Sequence, residues 1–244
     1  MAFYTDISVV YDDLFPVSPE QRAMLESLRE AGGVRSVVDC GCGTGAQLMS
    51  FATAGLSCLG FDPDPSLVAI ARRKLATYPK TRIEQGAFAD LRRITSFPSD
   101  LLLCLGNSLV HVPGEEAGRF LSAASAVLSP GGTLLLQTLN YQRLFRERAT
   151  ELPLIRSRDG SVEFHRRYQW ESERKVLFRT SLRFPSAGEP RVIRNEIVLH
   201  PLYPEELREM LASAGFIELR FFGDFARADF HPGSEALVCL ARKA

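Results

Sequence analysis

The stretch VVDCGCGTGA, Val37 to Ala46, spaces three glycines, Gly41, Gly43 and Gly45, at alternate positions behind Asp39. Glycines set where an apolar run gives way to a helix-like segment let the backbone approach a ligand with no side chain in the way. A nucleotide-like ligand is the expectation. Read as GxGxxG/A, Gly41 to Ala46 meets a dinucleotide fingerprint, and Asp62 stands about 20 residues further on to hold a ribose hydroxyl. Asp39 points to a ligand of the opposite charge. In the dinucleotide arrangement the turn and the helix start bind a pyrophosphate dianion, which a carboxylate at the strand end would repel. S-adenosylmethionine has no phosphate and carries a sulfonium and an α-ammonium group, so the same carboxylate favours it.

These residues need a scaffold, and the chain supplies one by alternation. Between Glu20 and Gln137, helix-like and strand-like segments follow one another, the pattern of βαβ units building a parallel sheet covered on both faces. Apolar runs mark strands at Ser36 to Cys40, Ser57 to Phe61, Thr81 to Gln85, Asp100 to Leu105 and Gly132 to Leu139. In DPSLVAIARRKLATY, Leu67, Ile70, Ala71 and Leu75 recur at helical spacing after Pro65 and Ser66, good early-helix residues. A helix beginning near Glu116 is stopped by SPGG at Ser129 to Gly132.

After Tyr141 the period changes. From about Leu152 to His200 residues alternate by two: Val176, Phe178, Thr180, Leu182 and Phe184 share one face, and Arg179, Ser181 and Arg183 the other. Asp159 and Gly160 signal a hairpin turn, and Pro185 to Pro190 punctuate the next connection. The expectation is one domain over residues 1–244 with an antiparallel meander inserted at about 150–201. A helix resumes at Pro204, with Leu207, Met210, Leu211 and Ala214 as its apolar stripe and Gly215 as its cap. No crossover helix fits between Gly223 and Ser234, so the strands IELRFFG and EALVCLAR form an antiparallel pair.

Composition narrows the partners. Lys plus Arg and Asp plus Glu both number 29, which gives no overall basic charge for nucleic acid or a membrane surface, and neither is expected as a partner. The N-terminus is acidic where a signal peptide needs a basic segment, and no apolar run approaches the roughly 18 residues of a spanning helix. A cytoplasmic protein is the expectation. Its five cysteines are an odd number, and Cys40, Cys58, Cys104 and Cys239 fall in strand-like runs as small apolar residues. Disulfides are not expected, nor a metal at the Cys40 and Cys42 pair, which has no second cluster at ligand spacing.

Taken together, VVDCGCGTG, Asp62 in GFDPDPSL, LLLCLGNSLVHV and LSPGG resemble the motifs of the class I S-adenosylmethionine-dependent methyltransferases. The resemblance spans nearly the whole chain apart from the detail of the insert. It implies a Rossmann-like α/β fold with a seven-stranded sheet, mostly parallel with an antiparallel last strand, and a cofactor across the carboxyl ends of the first strands. Carried onto this sequence, it places Asp39 and Gly41 near the methionine part of S-adenosylmethionine, with Cys42 a further cofactor contact and Gly43 and Gly45 permitting close backbone approach. Asp62, followed by Pro63, accepts from the ribose hydroxyls. Phe88 covers the adenine, Leu105 and Gly106 end the fourth strand beside the cofactor, and Tyr11 is a further cofactor contact. Ala87 departs from the family pattern, which has there an aspartate that binds the adenine amino group; Asp90 either substitutes for it or caps local backbone.

LGNSLVHV, LNY at Leu139 to Tyr141, and the early YDDLF resemble the glycine and sarcosine N-methyltransferase branch. That implies a small-molecule acceptor, such as an amine or amino acid nitrogen, methylated by in-line displacement. Such a reaction asks the protein to hold the nucleophile close and exclude water, without a metal. Asn107 and His111 are the candidate catalytic residues, with Tyr11 and Tyr141 as lesser acceptor contacts. His111 reads equally as a base or as a residue orienting its loop, and Asn107 equally as a contact or a turn residue. Arg166, Arg167 and Arg179 of the insert bind an acceptor carboxylate or pair with neighbours such as Glu163 and Glu171. Phe164, Tyr168 and Trp170 share a face that packs on the main sheet or on a second subunit of a homodimer. The competing readings are a nicotinamide-dependent oxidoreductase, a non-catalytic S-adenosylmethionine-binding protein, and a methyltransferase for RNA or protein.

Overall fold

The computed structural model describes residues 7–30, 33–184 and 189–244. Five strands, β1 (Ser36–Cys40), β2 (Ser57–Asp62), β3 (Thr81–Gln85), β4 (Ser99–Cys104) and β5 (Leu128–Leu139), lie parallel in the order β3-β2-β1-β4-β5. Because β1 has β2 on one side and β4 on the other, the order reverses there, and a crevice opens beyond the carboxyl ends of β1 and β4. Asp100 fixes the opposite end: its Oδ2 accepts from the backbone N–H of Arg35 at 2.9 Å and of Ser36 at 3.0 Å. The sheet continues through β11 (Ala236–Lys243), antiparallel to β5, and β10 (Phe216–Phe222), antiparallel to β11. Seven strands with one antiparallel member match the sequence expectation.

Alternate residues of the central strands feed cores on opposite faces. Val38, Cys40, Leu102 and Cys104 go to one side, and Val37, Leu101 and Leu103 to the other. Both faces therefore need apolar residues, which is why these strands read as unbroken apolar runs. Helices α1 (Tyr11–Leu14) and α2 (Pro19–Glu30) precede β1, and α3 (Met49–Thr53) follows the glycine turn. Helix α4 (Pro65–Lys74) starts where Asp64 Oδ1 accepts from the N–H groups of Ser66 at 2.8 Å and Leu67 at 3.1 Å. A short α5 (Leu91–Ile94) follows β3. Helix α6 (Gly114–Val127) buries Ala117, Phe120, Leu121 and Ala124, a stripe at helical spacing.

The segment SPGG differs from its reading as a stop before the strand. β5 already starts at Leu128, opposite Ser99, and the register shifts before Thr133 meets Leu101. The extra residues bulge out, so Pro130 loses no needed ladder bond and Gly131 takes a φ of +73°.

Beyond α7 (Tyr141–Arg146) the chain forms a separate antiparallel sheet, β6 (Glu151–Arg156), β7 (Glu163–Ser172), β8 (Lys175–Phe184) and β9 (Arg191–Leu199), paired in chain order. The connection read at Pro185 to Pro190 lies partly outside the described residues. On β8, Val176, Thr180 and Leu182 are buried while Arg179 and Arg183 are exposed, as the period of two requires. The inner face docks in two places. Tyr168, Val176 and Leu199 join the main core with Tyr141, and Trp170 donates from Nε1 to Ala149 O at 2.8 Å. Phe164 and Leu182 instead pack on Ile7 and Leu14 of the N-terminal segment. The last helix, α8 (Pro204–Ser213), leads into β10. Among the described residues, no helix is long and apolar enough to cross a membrane.

Leu102 lies at the centre of β4 with 0% exposure. Leu102→Ala should lower stability by about 2–5 kcal/mol, read as a lower denaturant midpoint with an unchanged slope.

Candidate active site

The glycine turn follows β1 directly, and β2 holds it: the N–H groups of Gly41 and Cys42 donate to Phe61 O at 2.9 and 3.0 Å. A Cβ on Gly41 would stand 2.9 Å from Ser108 Oγ, and one on Gly45 would stand 2.8 Å from Leu75 Cδ1. The first glycine leaves room for the loop after β4, the last for α4, and their φ angles of +78° and +75° lie in the left-handed region. Gly43 donates its N–H to Asp62 Oδ2 at 3.0 Å, while Asp62 Oδ1 accepts from Asp64 N at 2.9 Å. Each Asp62 oxygen thus keeps acceptor capacity after its backbone bond.

A cleft of about 270 Å³ opens beyond these strand ends, close to the lower end of small-molecule sites, about 300–1,000 Å³. Of the sequence-derived site residues, Tyr11, Gly41, Asp62, Pro63, Ala87, Phe88, Gly106 and His111 line it. Asp39, Cys42, Gly43, Gly45, Leu105 and Asn107 do not; they form the turn and the supports behind it. Phe61, Asp64, Leu67, Gly86, Ser108 and Val112 also line the cleft, beyond the reach of the sequence reading. Asp64 carries a usable signal, since an aspartate before Pro65 at a helix start is a capping pattern.

Two carboxylates dominate the electrostatics. Asp39 is 1% exposed, and its Oδ2 has no hydrogen-bond partner. Burial first, and the charge of Asp62 second, raise its pKa from 3.8 to about 8. Burial also raises the pKa of Asp62, opposed by the N–H groups of Asp64 and Gly43. Among the described residues no Lys, Arg or His forms an ion pair with either, and the nearby Lys74 is tied to Asp12 and Thr44. The pair lacks a cation.

His111, on the loop after β4, lines the same cleft. It is exposed to the cleft mouth and crowded by protein on its other sides, and that loss of hydration lowers its pKa from 6.5 to about 4. The open mouth moderates the shift while water fills the cleft, and a filled cleft enforces it. Asn107 adopts a left-handed φ of 64° and spends its whole amide on structure. Its Oδ1 accepts from Leu139 N at 3.0 Å, and its Nδ2 donates to the Tyr141 hydroxyl at 2.8 Å. Tyr141 is itself fully buried, so it braces the loop from behind and does not face the cleft. His200 N, just past β9, donates to Val110 O at 2.7 Å, which ties the second sheet to the same loop.

Asp90 caps local backbone. Its Oδ2 accepts from Ala87 N at 3.0 Å and its Oδ1 pairs with Arg93 at 2.9 Å. The insert's arginines are also committed elsewhere: Arg166 donates to Pro153 O at 2.7 Å, Arg167 pairs with Glu151 at 2.8 Å, and Arg179 with Glu196 at 2.6 Å. None lines the cleft. Glu163 and Glu171, their expected partners, instead pair with Arg156 and Lys175.

The model of a methyltransferase-domain family matches residues 37–132, from β1 into β5. The fold is that of the class I S-adenosylmethionine-dependent methyltransferases. It is 28% identical over 199 residues to a glycine/sarcosine N-methyltransferase of Parasynechococcus marenigrum (strain WH8102), a match covering 80% of this chain and 67% of the relative. The CcbJ methyltransferase of Streptomyces caelestis shares the fold with a TM-score of 0.80 at 23% identity, over 99% of this chain and 98% of that one. CalS10 of Micromonospora echinaspora, an amino pentose methyltransferase solved with its S-adenosylmethionine, follows at a TM-score of 0.67 and 21% identity, over 99% and 92%.

The residues present fit S-adenosylmethionine. The turn has no room for side chains at Gly41 and Gly45, and the orphaned Asp39 oxygen lies beneath it with no protein cation to neutralise it.

A raised carboxylate pKa means that the folded chain binds a proton the unfolded chain has released, so stability falls as pH rises from about 4 to about 8. Asp39→Asn should therefore stabilise the empty protein at pH 8 relative to pH 5 in denaturant titrations. The same substitution should weaken S-adenosylmethionine binding at least tenfold by calorimetry. A parallel loss of both would refute the electrostatic account.

Proposed function

We propose that this protein transfers the methyl group of S-adenosylmethionine to the neutral nitrogen of a small-molecule amine. The observation that carries the reading is the charge around the cleft: Asp62 lines it with Asp39 buried behind the turn, neither ion-paired among the described residues, and a neutral imidazole lines the same cleft. The similarity to a glycine/sarcosine N-methyltransferase and to an amino pentose methyltransferase supports nitrogen as the acceptor atom.

Asp39 and Asp62 favour a cationic cofactor over a dinucleotide, whose phosphates they would repel. Asp62 takes the ribose hydroxyls, and Phe88, whose ring centroid stands 4.5 Å from that of Phe120, offers a braced face for the adenine. The cofactor supplies a methyl group already activated by a positive sulfur, so the protein needs positioning and dryness more than acid–base power. His111 acts accordingly. With a pKa near 4 it does not take the proton of an ordinary ammonium, whose pKa is about 8–10. It accepts a single hydrogen bond from the amine N–H, which aims the nitrogen lone pair. The desolvation that keeps His111 neutral equally disfavours an ammonium beside it, so the imidazole's surroundings select the uncharged amine. Asn107 positions His111 through Leu139 and Tyr141, and the second sheet, tied in at Val110, covers the acceptor side.

Parallel calorimetric titrations with S-adenosylmethionine, S-adenosylhomocysteine and NAD should show binding of the first two alone. A panel of small amines followed by mass spectrometry then reads methyl transfer. Rate should rise with pH along the acceptor amine's own titration, with no step near 6.5. His111→Gln should lower kcat/KM at least tenfold and leave cofactor affinity unchanged. Binding of the cofactor with no turnover on any amine would favour a non-catalytic protein.

A further inference from the structure

A second and larger concavity, about 730 Å³, lies on the outward face of the β6–β9 sheet and shares no residue with the cleft. Strand alternation and register write its charge in rows. One row crosses all four strands as Glu151, Arg167, Arg179 and Glu196, two opposed arginines each balanced by its own carboxylate. The next sets Ser181 against Arg194, with His165 beside Ser181. The third runs Arg156, Glu163, Arg183 and Val192, and its one carboxylate is bonded by Arg156 and His165. Arg183 and Arg194 are left diagonal to one another on the same face, and neither has an ion pair or hydrogen bond among the described residues. Like charges so placed repel, and an anion between them would relieve it.

The concavity borders β9, which among the described residues pairs in the sheet only with β8 and so presents a strand edge nine residues long. Pro190, Val192, Arg194, Asn195 and Glu196 of this border line the concavity. Free strand edges accept extended chains through main-chain hydrogen bonds, and guanidinium groups pair with carboxylates in matched planar geometry. We propose that this face docks an extended acidic segment of a partner protein, with its carboxylates on Arg183 and Arg194 and its backbone along β9. Protection of an edge strand by charge would account for Arg194. It does not account for Arg183, which sits on the interior strand β8.

The test uses a fluorescent octapeptide alternating Glu and Thr, its Lys-for-Glu counterpart, and the full chain as wild type and as R183S/R194S. Anisotropy should show saturable binding of the acidic peptide to wild type alone. The double variant, or 0.5 M salt, should weaken that binding about tenfold or more. S-adenosylhomocysteine affinity and the unfolding midpoint should stay unchanged in the variant, which separates this surface from the cleft. Absence of acidic-peptide binding, or equal binding by the variant or of the Lys peptide, overturns the proposal. So does tripolyphosphate displacing the peptide at lower concentration than unlabelled peptide, which makes this a small-anion site. Self-association of wild type that the double variant abolishes would also overturn it, by assigning the face to a second copy.

Discussion

Asp39 is buried at the end of β1, beside Asp62 and beneath the glycine turn, with no protein cation to meet it. A lone carboxylate in such a place either keeps its proton or waits for a charge from outside, because the interior hydrates it poorly. Its surroundings leave no third course: Gly60, its partner across β2, is walled by Leu48, Ile83 and Cys42, and the thiols of Cys40, Cys42 and Cys104 are pushed well above their usual pKa. The electrostatics of the site therefore favour a cationic ligand. Stability given up in the unliganded fold reappears as affinity and as selectivity by sign of charge.

That arrangement depends on the sheet order. Placing β1 between β2 and β4 brings the turn, Asp62 and the loop of Asn107 and His111 to one crevice, although they are far apart in sequence. The supports are backbone groups wherever the geometry must hold: Gly43 and Asp64 fix Asp62, Leu139 fixes Asn107, and Gly106 N donates to Gln137 Oε1 at 2.9 Å. The side chains left facing the cleft can then serve a ligand.

Most of this architecture was legible in the chain because the strands must be apolar on both faces and the helices on one. The glycine turn, Asp62 and the reversed final strand followed from spacing and from what cannot fit between Gly223 and Ser234. The role of Asn107 was not legible, since its partners Leu139 and Tyr141 lie more than thirty residues away, at separations of 32 and 34. The same limit hid the weak basicity of His111: its neighbours Val110 and Val112 are visible in sequence, and the crowding around its ring is not. SPGG misled for a local reason, because a proline and two glycines mark a turn unless a bulge lets the strand run through them.

The N-terminal segment joins these parts. Tyr11 lines the cleft and stacks against Phe15, with ring centroids 5.1 Å apart; Phe15 in turn meets Phe164 of the second sheet edge-on at 5.6 Å. Asp12 binds Thr44 and Lys74 beside the glycine turn, and Asp13 reaches Arg158 in the turn between β6 and β7. The apolar contacts hold this strap against the insert, and its hold on the turn combines the Tyr11 ring, set over Gly43, with the Asp12 cluster of Thr44 and Lys74. A Cβ at Gly43 would stand 3.3 Å from the Tyr11 ring, and the same residue donates its N–H to Asp62, so the strap, the turn and the carboxylate depend on one position with little space for a side chain.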